Sequence, residues 1–120
     1  MDELKEVEVT NEDGAAVVAF KSASVSEVDV ITAASNQLKA FIDEHKPYKL
    51  IFDFESVKFF SSQVLGLLLD IRAKMKPYNG EVVISAINPQ LHRVFKITNL
   101  DKVFRFFPDK QSAIQEISTA

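Results

Sequence analysis

The chain has 120 residues, a formal net charge of −3 and no cysteine. This length fits a single domain, and the hydrophobic content of 47% supplies one ordinary core. The acidic balance argues against a general nucleic-acid binder, because such domains carry a basic excess. The lack of cysteine excludes disulfides, thiolate metal sites and cysteine nucleophiles, and it fits a reducing compartment.

No stretch of the sequence is suited to secretion or to a bilayer. The N-terminal stretch MDELKEVEVT is charged throughout, unlike the apolar region of a signal peptide. The longest apolar run, VLGLLL, is far too short to span a membrane. We therefore expect a cytoplasmic protein with no membrane partner and no direct nucleic-acid partner.

The chain begins with a predicted β-hairpin. Val7 and Val9 alternate with polar residues, NEDG at 11–14 is a turn signal, and AAVVAF at 15–20 supplies the second strand.

A helix is predicted between a small polar loop at 21–26 and Pro47, with Ser26 as a candidate N-cap. Its apolar residues recur at helical spacing. They are Val30, Ile31, Ala34, Leu38, Phe41 and Ile42.

The middle of the chain predicts a strand and a helix. KLIFDF at 49–54 is a short apolar run with one interior acid, which is typical of a buried strand. Phe59 is expected to be buried after the following turn, and residues 64–75 have a helical pattern. PYNG at 77–80 ends this helix, with Gly80 predicted in a left-handed conformation.

The last third predicts two more strand–helix units. EVVISAI at 81–87 is the next strand, and Asn88 and Pro89 are typical of a helix start. KVFRFF at 102–107 alternates as a strand, and Asp109 is a candidate cap of a final helix.

The element order β-β-α-β-α-β-α-β-α indicates a single α/β domain over residues 1–120. We expect a mixed sheet of four to five strands with about four helices on both faces, joined by right-handed crossovers. The strands at 49–54 and 81–87 should be central and parallel, because both are too apolar to face water.

Few polar side chains are arranged for catalysis. His45 and His92 lack partners at metal-ligand spacing, and both are expected at the surface. Asp53 is expected to accept hydrogen bonds from nearby backbone amides. The few glycines form no phosphate-binding loop. No nucleophile–base pair is visible, so we predict no enzymatic activity, no metal and no cofactor.

The stretch FFSSQVLGLLLD at 59–70 places Ser61 and Ser62 where a helix begins. One hydroxyl there is explained as an N-cap, but two are not. A helix N-terminus also stabilises negative charge. A serine there is therefore suited to phosphorylation, which adds about −1.5 to −2 charges. The spacing alone does not distinguish serines that only cap the helix from a serine that is phosphorylated as a switch.

The run from 49 to 115 resembles the STAS domain of bacterial anti-sigma factor antagonists. VKFFSSQVLG at 57–66 is similar to the family pattern V-x-F-x-D-S-S-G-L-G, and a glycine, an Asn-Pro pair and L-x-x-x-F follow at the family's spacing. The matching residues are Asp53, Val57, Phe59, Leu65, Gly66, Gly80, Asn88, Pro89, Leu100 and Phe104.

In that family the partner kinase phosphorylates the serine directly after the motif Asp. Alignment on Leu65 and Gly66 places Ser62 at this position, with Ser61 as a supporting hydroxyl that caps the helix. The family's Asp, Ser or Thr, and Gly are replaced here by Ser61, Gln63 and Val64.

The resemblance implies an anti-sigma factor antagonist, which binds an anti-sigma factor with serine kinase activity and thereby releases a sigma factor. A phosphate on Ser62 would weaken this binding, and a protein phosphatase would restore it. Two alternatives stay open. One is a non-enzymatic STAS adaptor or scaffold in a stress-signalling or lipid-transport complex. The other is a small-ligand domain that holds an anion or nucleotide at the same helix end.

The partner is expected at the C-terminal ends of the parallel strands, where ligands of open α/β sheets bind. Substitution of Ser24 or Asn88 there should affect partner binding more than stability. The predicted partner-binding residues are Ser24, Glu27, Ser61, Ser62, Gln63, Leu65 and Asn88.

Overall fold

The computed structural model describes residues 7–118, which fold into an α/β domain. The strands are β1 (Val7–Glu12), β2 (Ala15–Phe20), β3 (Ser24–Val25), β4 (Lys49–Asp53), β5 (Phe59–Phe60), β6 (Glu81–Ser85) and β7 (Arg105–Phe107). The helices are α1 (Val28–His45), α2 (Gln63–Met75), α3 (Pro89–Ile97) and α4 (Lys110–Ser118). The element order confirms the prediction, apart from the additional short strands β3 and β5.

Five strands form the main sheet in the order β1-β2-β4-β6-β7. β1 is antiparallel to β2, and the other neighbours are parallel. The prediction that β4 and β6 are central and parallel is confirmed, with Phe52 opposite Ile84. Both strands are covered on both faces, which explains their nearly continuous apolar sequences.

Helices cover both faces of the main sheet, as predicted. Side chains of β4 alternate between two clusters. Leu50 and Phe52 join the large cluster formed with α1, α2 and α3, whereas Ile51 joins a smaller cluster with Ala113 and Ile114 of α4. Three helices therefore pack on one face and one on the other.

The parallel strands end together at one edge, which we call the carboxyl edge. β2, β4, β6 and β7 follow one another across the sheet, and the intervening helices all lie on the same face. The strand order therefore does not reverse, and the sheet lacks the switch point at which doubly wound sheets form a ligand crevice.

A second sheet, made of β3 and β5, lies at the carboxyl edge. The two strands are parallel, with Ser24 opposite Phe59. The N–H of Phe59 donates to the carbonyl of Ala23 at 3.1 Å, and the N–H of Ser61 donates to the carbonyl of Val25 at 3.0 Å. These bonds fasten the loop before α1 to the segment that leads into α2.

The prediction that Phe59 is buried is wrong. Neighbouring residues of a strand point to opposite sides, and the pairing of β5 with β3 turns Phe60 inward instead. The Phe60 ring packs edge-on against Phe54 at 5.7 Å and against Phe95 at 6.0 Å. Phe59 points outward, and 54% of its surface is exposed.

The predicted helix caps at Asn88 and Asp109 are confirmed. Asn88 Oδ1 accepts a hydrogen bond in the first turn of α3 at 2.9 Å, and Asp109 Oδ1 does so in α4 at 2.7 Å. Ser26 is not the cap of α1. That helix begins after Glu27, without a side-chain cap.

Two further details differ from the prediction. Asn79, with φ of 64°, takes the left-handed conformation expected of Gly80. Gly80 is instead constrained by space, since an added Cβ would lie 2.7 Å from Met75 Cε. The predicted strand at 102–107 is shortened to β7, because Leu100–Lys102 forms a 3₁₀ helix.

An ion pair ties α4 to β1. Lys110 Nζ lies 3.1 Å from Glu12 Oε2. This hydrogen bond holds the pKa of Glu12 below its ordinary value of 4.5, and it raises the pKa of Lys110. About a third of each side chain is exposed, so water screens part of the attraction.

Phe60→Ala should lower the free energy of unfolding by about 3–5 kcal/mol, because it removes a ring packed on all sides. Phe59→Ala is the matched control and should cost less than about 1 kcal/mol, since that ring is half-exposed. Urea unfolding of both variants measures the difference. Equal losses would contradict the orientation of β5.

Glu12→Gln should destabilise the protein at neutral pH, and this effect should disappear in acid once the carboxylate of the folded protein is protonated. The pKa of Glu12 is depressed in the folded state. Its carboxylate therefore stabilises the fold above the unfolded pKa, and this contribution is lost as the pH falls through the folded pKa. Urea unfolding of wild type and variant across this range should show the two stabilities converging in acid. A difference that persists in acid would assign the effect to something other than the ion pair.

Candidate partner-binding surface

The N-terminus of α2 presents Ser62 to solvent at the carboxyl edge. Ser62 is the N-cap residue, with φ of −62° and ψ of −18°, and its side chain makes no capping hydrogen bond. A hydroxyl that caps a helix normally comes from an extended backbone, which Ser62 lacks. The first turn of α2 contains no acidic residue. An anion on Ser62 would therefore meet the positive end of the helix without a like charge in that turn.

Ser61 is held in place by three hydrogen bonds. Its N–H donates to Val25 in the small sheet, and its carbonyl accepts from Val64 at 3.0 Å. Its hydroxyl donates to Gln63 Oε1 at 3.1 Å. The expectation that the Ser61 hydroxyl caps α2 is therefore wrong, because this hydroxyl binds a side-chain amide and no helix N–H. Gln63 is exposed and fixes the hydroxyl beside Ser62.

Two large apolar side chains are exposed next to the small sheet. Phe59 is 54% exposed and Val28, the first residue of α1, is 55% exposed. The sequence analysis missed both, because a two-residue strand has no periodicity and a helix start has no fixed face. We call six of the exposed residues around the small sheet the serine surface. They are Ser24, Glu27, Val28, Phe59, Ser62 and Gln63.

Two predicted partner-binding residues instead support this surface from below. Leu65 is only 7% exposed and packs in the core. Asn88 caps α3, and its Nδ2 donates to the carbonyl of Val57 at 3.4 Å. Asn88 thereby joins α3 to the loop that leads to Phe59. These bonds predict a larger stability effect for Asn88 than the sequence analysis expected.

The remaining titratable candidates have structural contacts. Asp53 Oδ1 accepts a backbone N–H of the next turn and the hydroxyl of the fully buried Ser85, both at 3.3 Å, in line with its predicted role. His45 is exposed as predicted, but His92 is half-buried and stacks on Phe106 at 4.3 Å. In the described part of the chain, His, Asp and Glu form no group suited to a metal. No helix there is long and apolar enough to cross a membrane.

An exposed aromatic ring beside hydroxyl side chains, as at the carboxyl edge, is common in protein-binding surfaces. The chain matches the STAS domain family over residues 7–113, and it belongs to that family. It is 21% identical over 81 residues to the anti-sigma F factor antagonist of Paenibacillus polymyxa. The match covers 68% of this chain and 69% of that protein.

Solved structures show the same fold. The anti-sigma-factor antagonist (STAS) domain protein of Planctomyces limnophilus has a TM-score of 0.85 and 23% identity, covering 95% of this chain and 98% of that one. The phosphorylated form of the Bacillus cell fate determinant SpoIIAA has a TM-score of 0.72 and 17% identity, covering 92% and 98%. These likenesses confirm the STAS fold predicted from the sequence.

Asn88→Ala should lower the free energy of unfolding by about 1–2 kcal/mol, because α3 loses its cap and the Val57 carbonyl loses a donor. Asn88→Asp is the matched control. It keeps the capping oxygen and should cost less than half as much. Urea denaturation measures both variants, and equal losses would mean that the cap contributes nothing.

Proposed function

We propose that this chain is a cytoplasmic anti-sigma factor antagonist without catalytic activity of its own. It binds an anti-sigma factor through the serine surface and thereby releases a sigma factor. One observation carries the proposal. The hydroxyl of Ser62, which makes no capping hydrogen bond, is exposed at the start of α2, three residues after the exposed ring of Phe59. Membership of the STAS family and the antagonist relative support the choice of partner.

The composition of the serine surface suits a protein partner. Phe59 and Val28 supply exposed apolar area, while Ser24, which lies opposite Phe59 in the small sheet, and Glu27 supply polar groups. Protein interfaces commonly combine an aromatic anchor with polar side chains. A small ligand would need a concave site, and the carboxyl edge lacks the strand-order reversal that forms one in doubly wound sheets.

Phosphorylation of Ser62 is the proposed switch. The phosphate adds about −1.5 to −2 charges, and the helix N-terminus stabilises this anion, so the fold persists. The surface nevertheless changes, because a bulky dianion now stands close to Phe59. The serine kinase activity of the anti-sigma factor adds the phosphate, and a protein phosphatase removes it.

A second candidate function is that of a STAS adaptor without a switch, within a stress-signalling or lipid-transport complex. The observation in its favour is Ser61, which stands where the family motif has Asp. Its hydroxyl is already bound to Gln63, so no carboxylate directly precedes Ser62. In this case the serine surface binds its partner constitutively.

Ser62→Asp should fold as stably as wild type, because an acid at a helix start is favoured by about 0.3–1 kcal/mol. It should bind a cognate anti-sigma factor at least about tenfold more weakly than Ser62→Ala, which keeps the surface uncharged. Isothermal titration calorimetry of the two variants measures this ratio.

The same proteins separate the two candidate functions. Incubation of wild type with the anti-sigma factor and ATP should add one phosphate, which tandem mass spectrometry should locate on Ser62. Phosphate on Ser61 instead, or equal affinities of Ser62→Asp and Ser62→Ala, would leave an adaptor without a switch.

A further inference from the structure

Positive charge is concentrated in the part of the chain that forms the end of α2, α3 and β7. Residues 71–107 contain seven lysines and arginines but only two acids, although the whole chain has a net charge of −3. Two of these cations, Lys74 and Arg105, form ion pairs with neighbouring acids. In the described part of the chain the other five form no ion pair and can meet an acidic partner. They are Arg72, Lys76, Arg93, Lys96 and Lys102.

On α2, the unpaired cations lie on the side away from α1. Asp70 and Lys74 form ion pairs with α1, at 3.9 and 2.8 Å, and so mark the side of α2 that faces it. Successive residues of a helix are about 100° apart, which puts Arg72 about 160° from each of them. Leu69 and Lys76 lie within about 60° of Arg72 around the helix. These three residues therefore form one stripe, on the side of α2 that is turned away from α1.

On α3, Val94 and Ile97 lie on the side that faces α2. The buried Phe95 marks the side of α3 that packs on the sheet. His92 marks the side away from α2, because it stacks on an aromatic ring of the edge strand β7 at 4.3 Å. Val94 and Ile97 lie about 160° and about 140° from His92 around the helix. Arg93 lies about 160° from Phe95 and is exposed to solvent.

These two sides face each other across a groove, which we call the α2–α3 groove. Right-handed crossovers place α1, α2 and α3 side by side, in the order of the parallel strands. Val94 is only partly buried, and Ile97 is 74% exposed, so the groove has apolar side chains available for contact. Its lining residues are Leu69, Arg72, Lys76, Arg93, Val94 and Ile97.

The charges of the groove are all of one sign. Arg72 and Lys76 lie on the α2 side, and Arg93 lies on the α3 side. Asp70 is the only acid of the two helices, and it points to α1 instead. Where α2 ends, a hollow of about 260 Å³ lies between Arg72 and Lys76 and is lined further by a short turn at 79–80, which is large enough for a carboxylate group. A partner of this groove must therefore bring negative charge.

The shape of the groove favours a helix over a lipid surface or a nucleic acid. Two neighbouring helices leave a channel into which a third helix can lay an apolar face. Val94 is recessed between the helices, where a planar membrane does not reach it. The lining contains no aromatic side chain on which a base could stack, and the chain as a whole is acidic.

We infer that the α2–α3 groove binds an amphipathic helix of an acidic partner protein. The apolar residues of that helix contact Leu69, Val94 and Ile97, and acids on its flanks lie beside the three cations of the groove. This groove shares no residue with the serine surface. The inference therefore stands apart from the proposed function and from the state of Ser62.

Fluorescence anisotropy with two labelled peptides of about 20 residues tests the groove. The first peptide has leucines at helical spacing along one face and glutamates on both flanks, and the second has lysines in place of the glutamates. The acidic peptide should bind with a dissociation constant below about 100 µM, and the basic peptide at least about tenfold more weakly. Binding of the acidic peptide should weaken as the salt concentration rises.

Variants of exposed groove residues locate the binding. Lys76→Glu and Arg93→Glu should each weaken binding of the acidic peptide by at least about tenfold. Lys58→Glu is the matched control, because it makes the same charge change at an exposed site outside the groove and should leave the affinity within about twofold. Ile97→Ser should weaken binding by about tenfold, whereas Ile97→Leu should restore it. Thermal unfolding checks that each variant keeps the fold.

Three results would overturn the inference. The first is an acidic peptide that binds no more tightly than the basic one, or that does not bind at all. The second is an equal loss of affinity in Lys58→Glu and Arg93→Glu. The third is tighter binding to vesicles that contain phosphatidylglycerol, or to a single-stranded RNA of about 20 nucleotides, than to the acidic peptide. That result would assign the cations to a membrane or to a nucleic acid instead.

Discussion

The parallel pairing of β4 with β6 is the constraint on which the rest of the molecule depends. Leu50, Phe52 and Ile84 have no exposed surface, and the side chains between them pack against α4 on the opposite face. This pair must be covered on both faces, so helices have to pack against each face of the sheet. Because β2, β4, β6 and β7 are parallel, the loop that follows each of them lies at the carboxyl edge.

The serine surface follows from this arrangement and from the small sheet above it. β3 and β5 contribute only two residues each, yet their backbone bonds fix the loops before α1 and before α2. The Phe60 ring anchors β5 among other aromatic rings, and Asn88 holds the preceding loop by its Val57 carbonyl. A charge added at Ser62 therefore changes an exposed surface that is supported by a rigid core.

Sequence reasoning recovered the elements whose apolar pattern spans several residues. The strands β4 and β6 appear in the sequence as continuous apolar runs, and the helices α1 and α2 bury enough residues for a helical period to be visible. The family motif also aligned Ser62 with the start of α2, where the structure places it.

The sequence did not predict how the side chains of the short elements are oriented, because contacts with residues distant in the chain determine this. Whether Phe59 or Phe60 points inward depends on the backbone hydrogen bond between β5 and Ala23, which the local sequence does not indicate. The role of Ser61 likewise depends on Gln63, whose amide competes with the helix for its hydroxyl. Leu65 matched the family motif, but the match did not distinguish a core residue from a contact residue.

Hydrogen exchange in the presence of a cognate anti-sigma factor is the most direct measurement of the proposed binding surface. Slower exchange is expected at residues 23–28 and 59–63, with no change at the hairpin turn at 13–14 on the opposite edge of the sheet. Protection confined to that turn would contradict the assignment of the serine surface as the partner-binding site.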